Sequence, residues 1–450
     1  MIMDCAKYAG LCGCGRDHEL ETKMVVVEYG AVNNFEKYMA DVGLAGKKRA
    51  VVYDSVIYKL TEGKHIAADQ EIVLEAQGLR AEDTLIEDMM KKLDDPEVIV
   101  AYGAGTIMDF GRYPAYKLGI PFVAIPTLAS SDGFTANICS AIINGQKKST
   151  PMCAPTLVVT DLDIIKGAPM RLVSSGINDI LSKYISVFDW KVSHMVADEY
   201  FCPKVCDLAE HALKIMREAA DKLAATGEVD HEAMTMAQME SGLTMQLLNH
   251  SRAASGAEHL AAHLVEMHPP RFEEAEGIHG ECVGVGTYLC IKEYHRLAAL
   301  PTPKAKKFEP LSEEWIREKF GDRLAPGIIK ENANDVLGTF DPQNIVDHWD
   351  EIRDMINKLP SAEEMEALYK ACGCKYLPEH IGIKPELGVI HRAERRNAGN
   401  ILLIAESRTG KKAVKRLRVR GRGGCHDGQG VEFHSRAAHI LGGAHNAVEA

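Results

Sequence analysis

Short apolar runs alternate with segments of helical periodicity through the first third of the chain. The runs predict strands, and between them Leu85–Leu93 has the spacing of an amphipathic helix. The four runs are Lys23–Gly30, Arg49–Asp54, Val98–Tyr102 and Phe122–Pro126. Strands that alternate with helices predict a parallel, doubly wound sheet. Ligands of such sheets bind beyond the carboxyl ends of the strands, so the residues that follow each run are the first candidates for a site.

The pattern changes after about Asp163, beyond one more short apolar run at Thr156–Thr160. Long segments rich in alanine, leucine and methionine follow, with helical spacing and little strand signal. They are Cys206–Ala225, His231–His250, Ala257–Met267 and Glu281–Leu297. The sequence therefore predicts an α/β domain over residues 1–165 and a helical domain over residues 166–406.

The segment 407–450 differs from both predicted domains. It contains nine lysines and arginines against three acidic residues, many glycines and little apolar periodicity. We expect a basic, flexible tail, and a solvated extension is favoured over a surface for nucleic acid or anionic lipid.

Composition narrows the class of protein. The 450 residues are 46% apolar and 26% charged, as in ordinary globular proteins, and two domains are expected at this length. A formal charge of −12 argues against nucleic-acid binding as the main role. No apolar run is long enough to span a membrane, and the N-terminus lacks the features of a secretion signal. These features predict a cytoplasmic protein with reduced cysteines.

Cys12, Cys14 and His18 lie close together in the sequence. Such residues can bind zinc, but their spacing differs from the usual structural zinc motifs and a fourth ligand is not evident. A surface turn with unbonded thiols is the favoured interpretation.

The first motif with chemical content is the strand that runs into Gly103-Ala-Gly105 and a helical pattern ending at Asp109. Glycines let a backbone approach a pyrophosphate, and a helix N-terminus offers N–H groups to it. The third glycine of the dinucleotide fingerprint is absent. The motif alone favours a cofactor loop only slightly over a turn that serves packing.

The second motif is Pro126–Thr135, which follows an apolar strand directly. It presents hydroxyls at Thr127, Ser130 and Ser131, and the carboxylate of Asp132. These groups suit phosphate, ribose or a substrate hydroxyl. A polar turn that caps the next helix is the alternative.

The third motif is a dispersed set of metal-binding side chains. Asp179 lies in Ser174–Lys183, His259 and His263 are four residues apart in one helical segment, and His279 lies sixteen residues beyond His263. One carboxylate and two imidazoles leave coordination positions open, as catalytic zinc, nickel or ferrous iron requires. Because the chain has 18 histidines, the spacing alone supports a metal site and a chance pair equally.

Taken in order, these motifs resemble the superfamily that contains glycerol dehydrogenase, dehydroquinate synthase and sn-glycerol-1-phosphate dehydrogenase. Within it, the chain is most similar to the bacterial branch of sn-glycerol-1-phosphate dehydrogenases, over residues 20–405. The stretches that carry this resemblance are Gly105–Asp109, Ser131–Thr135, Asp189–Trp190, His250–His259 and His279–Gly286.

The resemblance implies a Rossmann-like parallel-sheet domain followed by a helical domain, with NAD(H) or NADP(H) and one divalent metal. The metal would be zinc, with nickel or iron as alternatives, on Asp179, His259 and His279. Asp132 and His263 match catalytic, substrate-contacting positions. The cofactor positions would be Asp54, Gly103, Gly105, Thr106, Ile107, Met108, Asp109, Thr127, Leu128 and Ser130.

The implied reaction is the reversible reduction of dihydroxyacetone phosphate to sn-glycerol 1-phosphate, in a homo-oligomer. A polyol dehydrogenase acting on glycerol, a dehydroquinate-synthase-like lyase and a metal-binding regulator are the alternatives. Two departures stand out. Ala104 replaces the middle glycine of the family's Gly-Gly-Gly, and Ala136 or Asn137 replaces a serine near the cofactor. Asp54 favours NAD, because a carboxylate repels a 2′-phosphate.

Overall fold

A computed structural model describes residues 1–143, 146–304, 312–332, 341–384, 399–406, 412–419 and 435–439. The chain divides into two compact units, and each is discontinuous in sequence. The first unit comprises Met1–Ile180 and Pro203–Ser251, and the second comprises Leu181–Cys202 and Arg252–Ala450.

The first unit is built on a seven-stranded sheet with the order β1-β4-β11-β8-β7-β5-β6. All neighbouring strands are parallel except β1, which pairs with β4 in the antiparallel sense. Two antiparallel pairs, β2 with β3 and β9 with β10, lie outside this sheet. The strands are β1 (Ile2–Asp4), β2 (Gly10–Leu11), β3 (Asp17–His18), β4 (Met24–Glu28), β5 (Arg49–Asp54), β6 (Gln70–Leu74), β7 (Val98–Gly103), β8 (Phe122–Pro126), β9 (Ile138–Ile143), β10 (Gln146–Pro151) and β11 (Leu157–Asp161).

The central strands are buried over their whole length, as their continuous apolar runs predict. Alternate residues of β7 enter two different apolar clusters, one with Ile99 and one with Val100. The register pairs Gly103 with Pro126, so the turns that follow β7 and β8 begin side by side. The predicted parallel α/β fold is confirmed, and the two candidate cofactor loops lie at one sheet edge.

The first unit also contains helices that the predicted boundary at residue 165 assigns to the second domain. Met236, Met239 and Leu243 of α9 lie in the same apolar cluster as Ile99 and Phe122 of the sheet. Because α9 packs on the sheet, it belongs to the same unit, although it lies far from the strands in sequence. Helices of this part of the chain are α1 (Phe35–Asp41), α2 (Ser55–Leu60), α3 (Asp83–Met90), α4 (Gly105–Leu118), α5 (Leu162–Ile165), α6 (Met170–Leu181, which crosses the unit boundary), α8 (Pro203–Thr226) and α9 (His231–Leu248).

The second unit is mainly helical, as predicted. A β-carbon on Gly286 of α11 would collide with the backbone of Glu258 in α10, so glycine permits this close helix pairing. The helices are α7 (Lys183–Ala197), α10 (Ala257–Glu266), α11 (His279–Ala298), α12 (Glu313–Asn332, interrupted at Gly321), α13 (Gln343–Asp347), α14 (Trp349–Ile356) and α15 (Ala362–Ala371). Within the described ranges, none has the length and apolar character to cross a membrane.

Three antiparallel strands complete the description, in the order β12-β13-β14. They are β12 (Gly399–Glu406), β13 (Lys412–Val419) and β14 (Ser435–His439). Two of them fall within the segment 407–450, for which the sequence predicts a basic, flexible tail. Basic and apolar residues alternate from Arg416 to Val419, which suits a strand. The rest of that segment lies outside the described residues.

Candidate active site

The turn between β7 and α4 has the geometry of an anion-binding loop. Ala104 is the N-cap of α4 and supplies no side-chain cap to the first turn of this 14-residue helix. A β-carbon on Gly105 would meet nothing within 4 Å, so the helix N-terminus opens onto free space. Uncapped N–H groups and the helix dipole favour a phosphate here. The buried side chains of Ile107 and Met108 belong to the core, so these residues can offer only backbone groups to a cofactor.

The missing third glycine of the fingerprint has a structural substitute in Gly111. A β-carbon at this position would lie 2.7 Å from Cβ of Ala101 and 2.8 Å from Cε2 of Phe122. Gly111 thus lets α4 approach β7 and β8 closely, which is the packing role of the third fingerprint glycine. Gly111 lies at a different position from the third glycine of the fingerprint, so the sequence pattern did not point to it.

Thr127 joins the second loop to the first. Its backbone N–H donates to the carbonyl of Gly103 at 3.1 Å. Its Oγ1 is buried and has no hydrogen-bond partner among the described residues. A buried hydroxyl without a partner costs free energy, so a ligand atom at this position would be stabilised. These observations fit a nucleotide cofactor at the edge where Thr127 and Gly103 meet.

The two acidic residues predicted near the cofactor have protein partners. Asp54 caps α2, where its Oδ1 accepts from the N–H groups of Val56 and Ile57 at 3.0 and 2.8 Å. Asp109 is buried, with its carboxylate 3.9 Å from a guanidinium nitrogen of Arg112. Both carboxylates therefore stabilise their own loops, whether or not a cofactor is bound.

Asp132 and Asp179 meet within the first unit. The N–H of Asp132 donates to Oδ2 of Asp179 at 2.8 Å, and Ser241 donates its hydroxyl to Oδ2 of Asp132 at 2.8 Å. Asp179 is fully buried on α6. Ser241 of α9, which the sequence analysis did not single out, thus orients one carboxylate, while the loop backbone orients the other.

Within the second unit, His259 and His279 are each held by a carboxylate. Nδ1 of His259 lies 2.7 Å from Oε1 of Glu258, and Nδ1 of His279 lies 3.0 Å from Oε1 of Glu266. The two imidazole centroids are 5.4 Å apart. A carboxylate on Nδ1 directs Nε2 toward a metal and raises its basicity. Each imidazole is therefore oriented by a carboxylate in the way that metal-binding histidines commonly are.

His263 lies beside this pair, with its ring centroid 6.0 Å from His259 and 5.6 Å from His279. His263, Glu266 and His279 also form a group whose ligand atoms lie within 4.8 Å of one another. Because Oε1 of Glu266 is bonded to His279, we interpret this carboxylate as support for the imidazole. Glu258 and Glu266 escaped the sequence analysis, although each precedes or follows a histidine of α10 closely.

Asp189 of α7 connects the N-terminus of α10 to α11. Its Oδ2 accepts from the N–H of Ala257 at 2.9 Å, and its Oδ1 accepts from the hydroxyl of Tyr294 at 2.6 Å. Burial, reinforced by the nearby carboxylate of Glu258, raises the pKa of Asp189 to about 8. A neutral acid in this position supports the helix that carries His259.

The raised pKa of Asp189 makes a prediction about stability and pH. Its pKa in the unfolded chain is near 3.8, so the stabilisation from the neutral form is complete below about pH 4 and is lost as pH rises through 8. Between pH 5 and 8, the free energy of unfolding should fall less in Asp189→Asn, which keeps a neutral side chain, than in the wild-type protein. The two decreases should differ by about 2–4 kcal/mol.

Urea unfolding at both pH values measures this difference. Asp163→Asn is the control, because Asp163 is ion-paired with Lys166 at the surface and should leave the pH dependence unchanged. Equal slopes for wild type and Asp189→Asn would show that Asp189 is ionised in the folded protein.

Known proteins are similar to this chain in fold and in sequence. The family model described as iron-containing alcohol dehydrogenase matches residues 26–169. The solved structure of a probable glycerol dehydrogenase from Sinorhizobium meliloti has a TM-score of 0.55 at 18% identity and covers 82% of this chain and 87% of its own. An iron-containing alcohol dehydrogenase from Corynebacterium glutamicum has a TM-score of 0.54 at 14% identity, covering 84% and 88%. The fold is therefore that of the iron-containing alcohol dehydrogenases.

Sequence relatives define the family more closely. A glycerol-1-phosphate dehydrogenase [NAD(P)+] from Geobacillus stearothermophilus is 33% identical over 307 residues, which are 68% of this chain and 70% of the relative. One from Bacillus licheniformis is 34% identical over 336 residues, covering 69% and 83%. The chain belongs to the glycerol-1-phosphate dehydrogenase family, which confirms the resemblance stated from the motifs.

Proposed function

We propose that this protein uses NADH or NADPH to reduce dihydroxyacetone phosphate at C2, giving sn-glycerol 1-phosphate, and catalyses the reverse reaction. Membership of a family named for this activity supports the proposal. The structural observation that carries it is the pair of carboxylate–imidazole contacts at His259 and His279, the first buried and the second partly buried.

Asp179, His259 and His279 are the proposed ligands of one divalent metal, with zinc as the proposed ion. One carboxylate and two imidazoles form a donor set that zinc, nickel and ferrous iron all accept. Asp179 is held by the N–H of Asp132, and Glu258 and Glu266 hold the two imidazoles. When bound, such a metal polarises a carbonyl oxygen as a Lewis acid.

The nucleotide is proposed to lie along the loops Gly103–Asp109 and Thr127–Ser130. The N–H groups at the start of α4 would hold the pyrophosphate, and Oγ1 of Thr127 would gain the partner that it lacks among the described residues. Asp54, at the end of β5, would contact the adenosine ribose through Oδ2, because its Oδ1 caps α2. A reduced nicotinamide supplies the hydride.

Asp132 and His263 are the residues proposed to contact the substrate. Ser241 fixes the carboxylate of Asp132, which can accept a hydrogen bond from the substrate's free hydroxyl. His263 lies next to both metal-binding imidazoles and can donate the proton that the C2 oxygen gains during reduction. This proton and the hydride together balance the reduction of the ketone.

A substrate panel tests the proposed function directly. We expect NADH or NADPH oxidation to be at least about tenfold faster, by kcat/KM, with dihydroxyacetone phosphate than with dihydroxyacetone, because phosphate contacts contribute binding free energy. The product should resist an sn-glycerol-3-phosphate dehydrogenase, which reads the opposite enantiomer.

The alternatives predict different results in the same assay. Faster turnover of dihydroxyacetone would indicate a polyol dehydrogenase. Turnover of a substrate without net consumption of the nicotinamide would indicate a lyase of the dehydroquinate-synthase type.

A further inference from the structure

A second group of metal-binding side chains lies in the first unit, in the hairpin of β2 and β3. The Sγ atoms of Cys12 and Cys14 and a ring nitrogen of His18 lie within 4.8 Å of one another. Sγ of Cys14 is 3.3 Å from Nε2 of His18. Both cysteines carry thiols rather than a disulfide. Two sulfurs and one imidazole nitrogen therefore converge on one point.

Backbone hydrogen bonds within the turn fix the positions of the two cysteines. The N–H of Cys12 donates to the carbonyl of Arg16 at 3.0 Å, and the N–H of Gly15 donates to the carbonyl of Cys12 at 3.0 Å. Gly15 has φ +85°, in the left-handed region that favours glycine. The tight turn places both thiols on the side of His18.

His18 has a hydrogen-bond partner on Nδ1, as His259 and His279 do. It is 2% exposed, and its Nδ1 lies 2.7 Å from the carbonyl of Leu247. A bond from Nδ1–H to a backbone carbonyl selects the tautomer whose Nε2 lone pair faces the two sulfurs.

The hairpin is short. Each of its strands has only two residues, and Leu11 is 89% exposed. Isolated two-stranded hairpins are marginally stable in water, and small segments without a core of their own are commonly stabilised by a metal. A bound ion would add to the stability of this segment.

We propose that Cys12, Cys14 and His18 bind one zinc ion. The ammonium of Lys204, in the first turn of α8, donates to the carbonyl of Tyr8 at 2.7 Å, so α8 holds the segment just before the hairpin. Two thiolates and one neutral imidazole are donors that zinc prefers, and binding releases the two thiol protons.

This site differs from the proposed catalytic metal site in its chemistry. Its donors are two thiolates and one imidazole, whereas the proposed catalytic site has one carboxylate and two imidazoles. The sequence analysis favoured a surface turn with unbonded thiols, and the structure shows both cysteines as thiols. The proposal adds a metal to them.

Elemental analysis of the full chain tests the proposal. The His259→Ala variant removes a ligand of the other site, and we expect it to retain about one zinc per chain. Adding Cys12→Ser or Cys14→Ser should reduce this to near zero, whereas Cys153→Ser, at another partly buried cysteine, should leave it unchanged. A His259→Ala protein without zinc, or zinc that persists in both serine variants, would overturn the proposal.

Two measurements keep the test decisive if a serine variant fails to fold. Cobalt substituted into the His259→Ala protein should show intense thiolate-to-cobalt charge-transfer absorption, which a site of carboxylate and imidazoles cannot produce. In the wild-type protein, alkylation of Cys12 and Cys14 should accelerate at least about tenfold when a zinc chelator is added. Absence of the charge-transfer bands, or an alkylation rate that the chelator does not change, would contradict a thiolate site.

Discussion

Replacing His259 or Asp179 by alanine is expected to remove the catalytic metal and to reduce kcat/KM by more than about a hundredfold. Removing even a second-shell partner of a metal ligand costs roughly 10–100-fold in affinity or activity, and loss of a ligand itself costs more. The carboxylate of Asp179 is fully buried, and His259 is only 5% exposed, so solvent cannot easily replace either donor. Metal content and steady-state kinetics measure the two effects.

Two further variants separate ligands from neighbours. His263→Ala should retain the metal while losing activity, because His263 is proposed to serve the substrate. Glu258→Gln should fall between wild type and His259→Ala, because it weakens the support of Nδ1 without removing Nε2. The cysteine site would hold its own zinc, so the count is read in a Cys14→Ser background. A full complement of metal in Asp179→Ala in that background would eliminate the proposed catalytic site.

Gly242→Ala is expected to destabilise the first unit by about 3 kcal/mol and to abolish most activity. A β-carbon there would collide with Oγ1 of Thr135 and the carbonyl oxygen of Asp132, well inside the 3.0 Å that real β-carbons keep. Thr135 cannot move aside easily, because its hydroxyl donates to the carbonyl of Met239 at 2.8 Å. The added methyl would therefore push α9 away from the turn that carries Asp132.

Urea unfolding and the ketone reductase assay measure the two consequences. Gly133→Ala is the matched control, because its β-carbon would meet only Oγ of Ser131, at 3.8 Å. We expect this variant to unfold at nearly the wild-type urea concentration. If Gly242→Ala were as stable and active as the control, α9 would not be held against the Asp132 turn.

Much of the fold could be predicted from the sequence, because its signals are local. The apolar runs of β5, β7 and β8 are buried on both faces of the sheet, which is why they read as continuous rather than alternating. The long helices α8 to α11 were predicted from their periodicity. Their assignment to a single domain was not predictable, because packing of α9 on the sheet depends on contacts distant in sequence.

The candidate site divides in the same way. The sequence by itself predicted Asp179, His259 and His279 as metal ligands through residue type, order and family resemblance. Only the tertiary structure revealed Glu258 and Glu266 as partners of the two histidines, Ser241 as the partner of Asp132, and Gly111 as the packing glycine. A carboxylate beside a histidine is common in any sequence. Whether it holds Nδ1 is decided by side-chain orientation, which tertiary packing sets.

The hairpin at Cys12, Cys14 and His18 shows the same division most clearly. The sequence determined which donors were present, but its spacing argued for an ordinary turn. Folding decided that both sulfurs and Nε2 of His18 converge, because the turn at Gly15 and the bond from His18 to Leu247 set their directions. Metal sites depend on distances of a few ångströms between atoms, and a one-dimensional pattern does not record such distances, even for residues that are close in sequence.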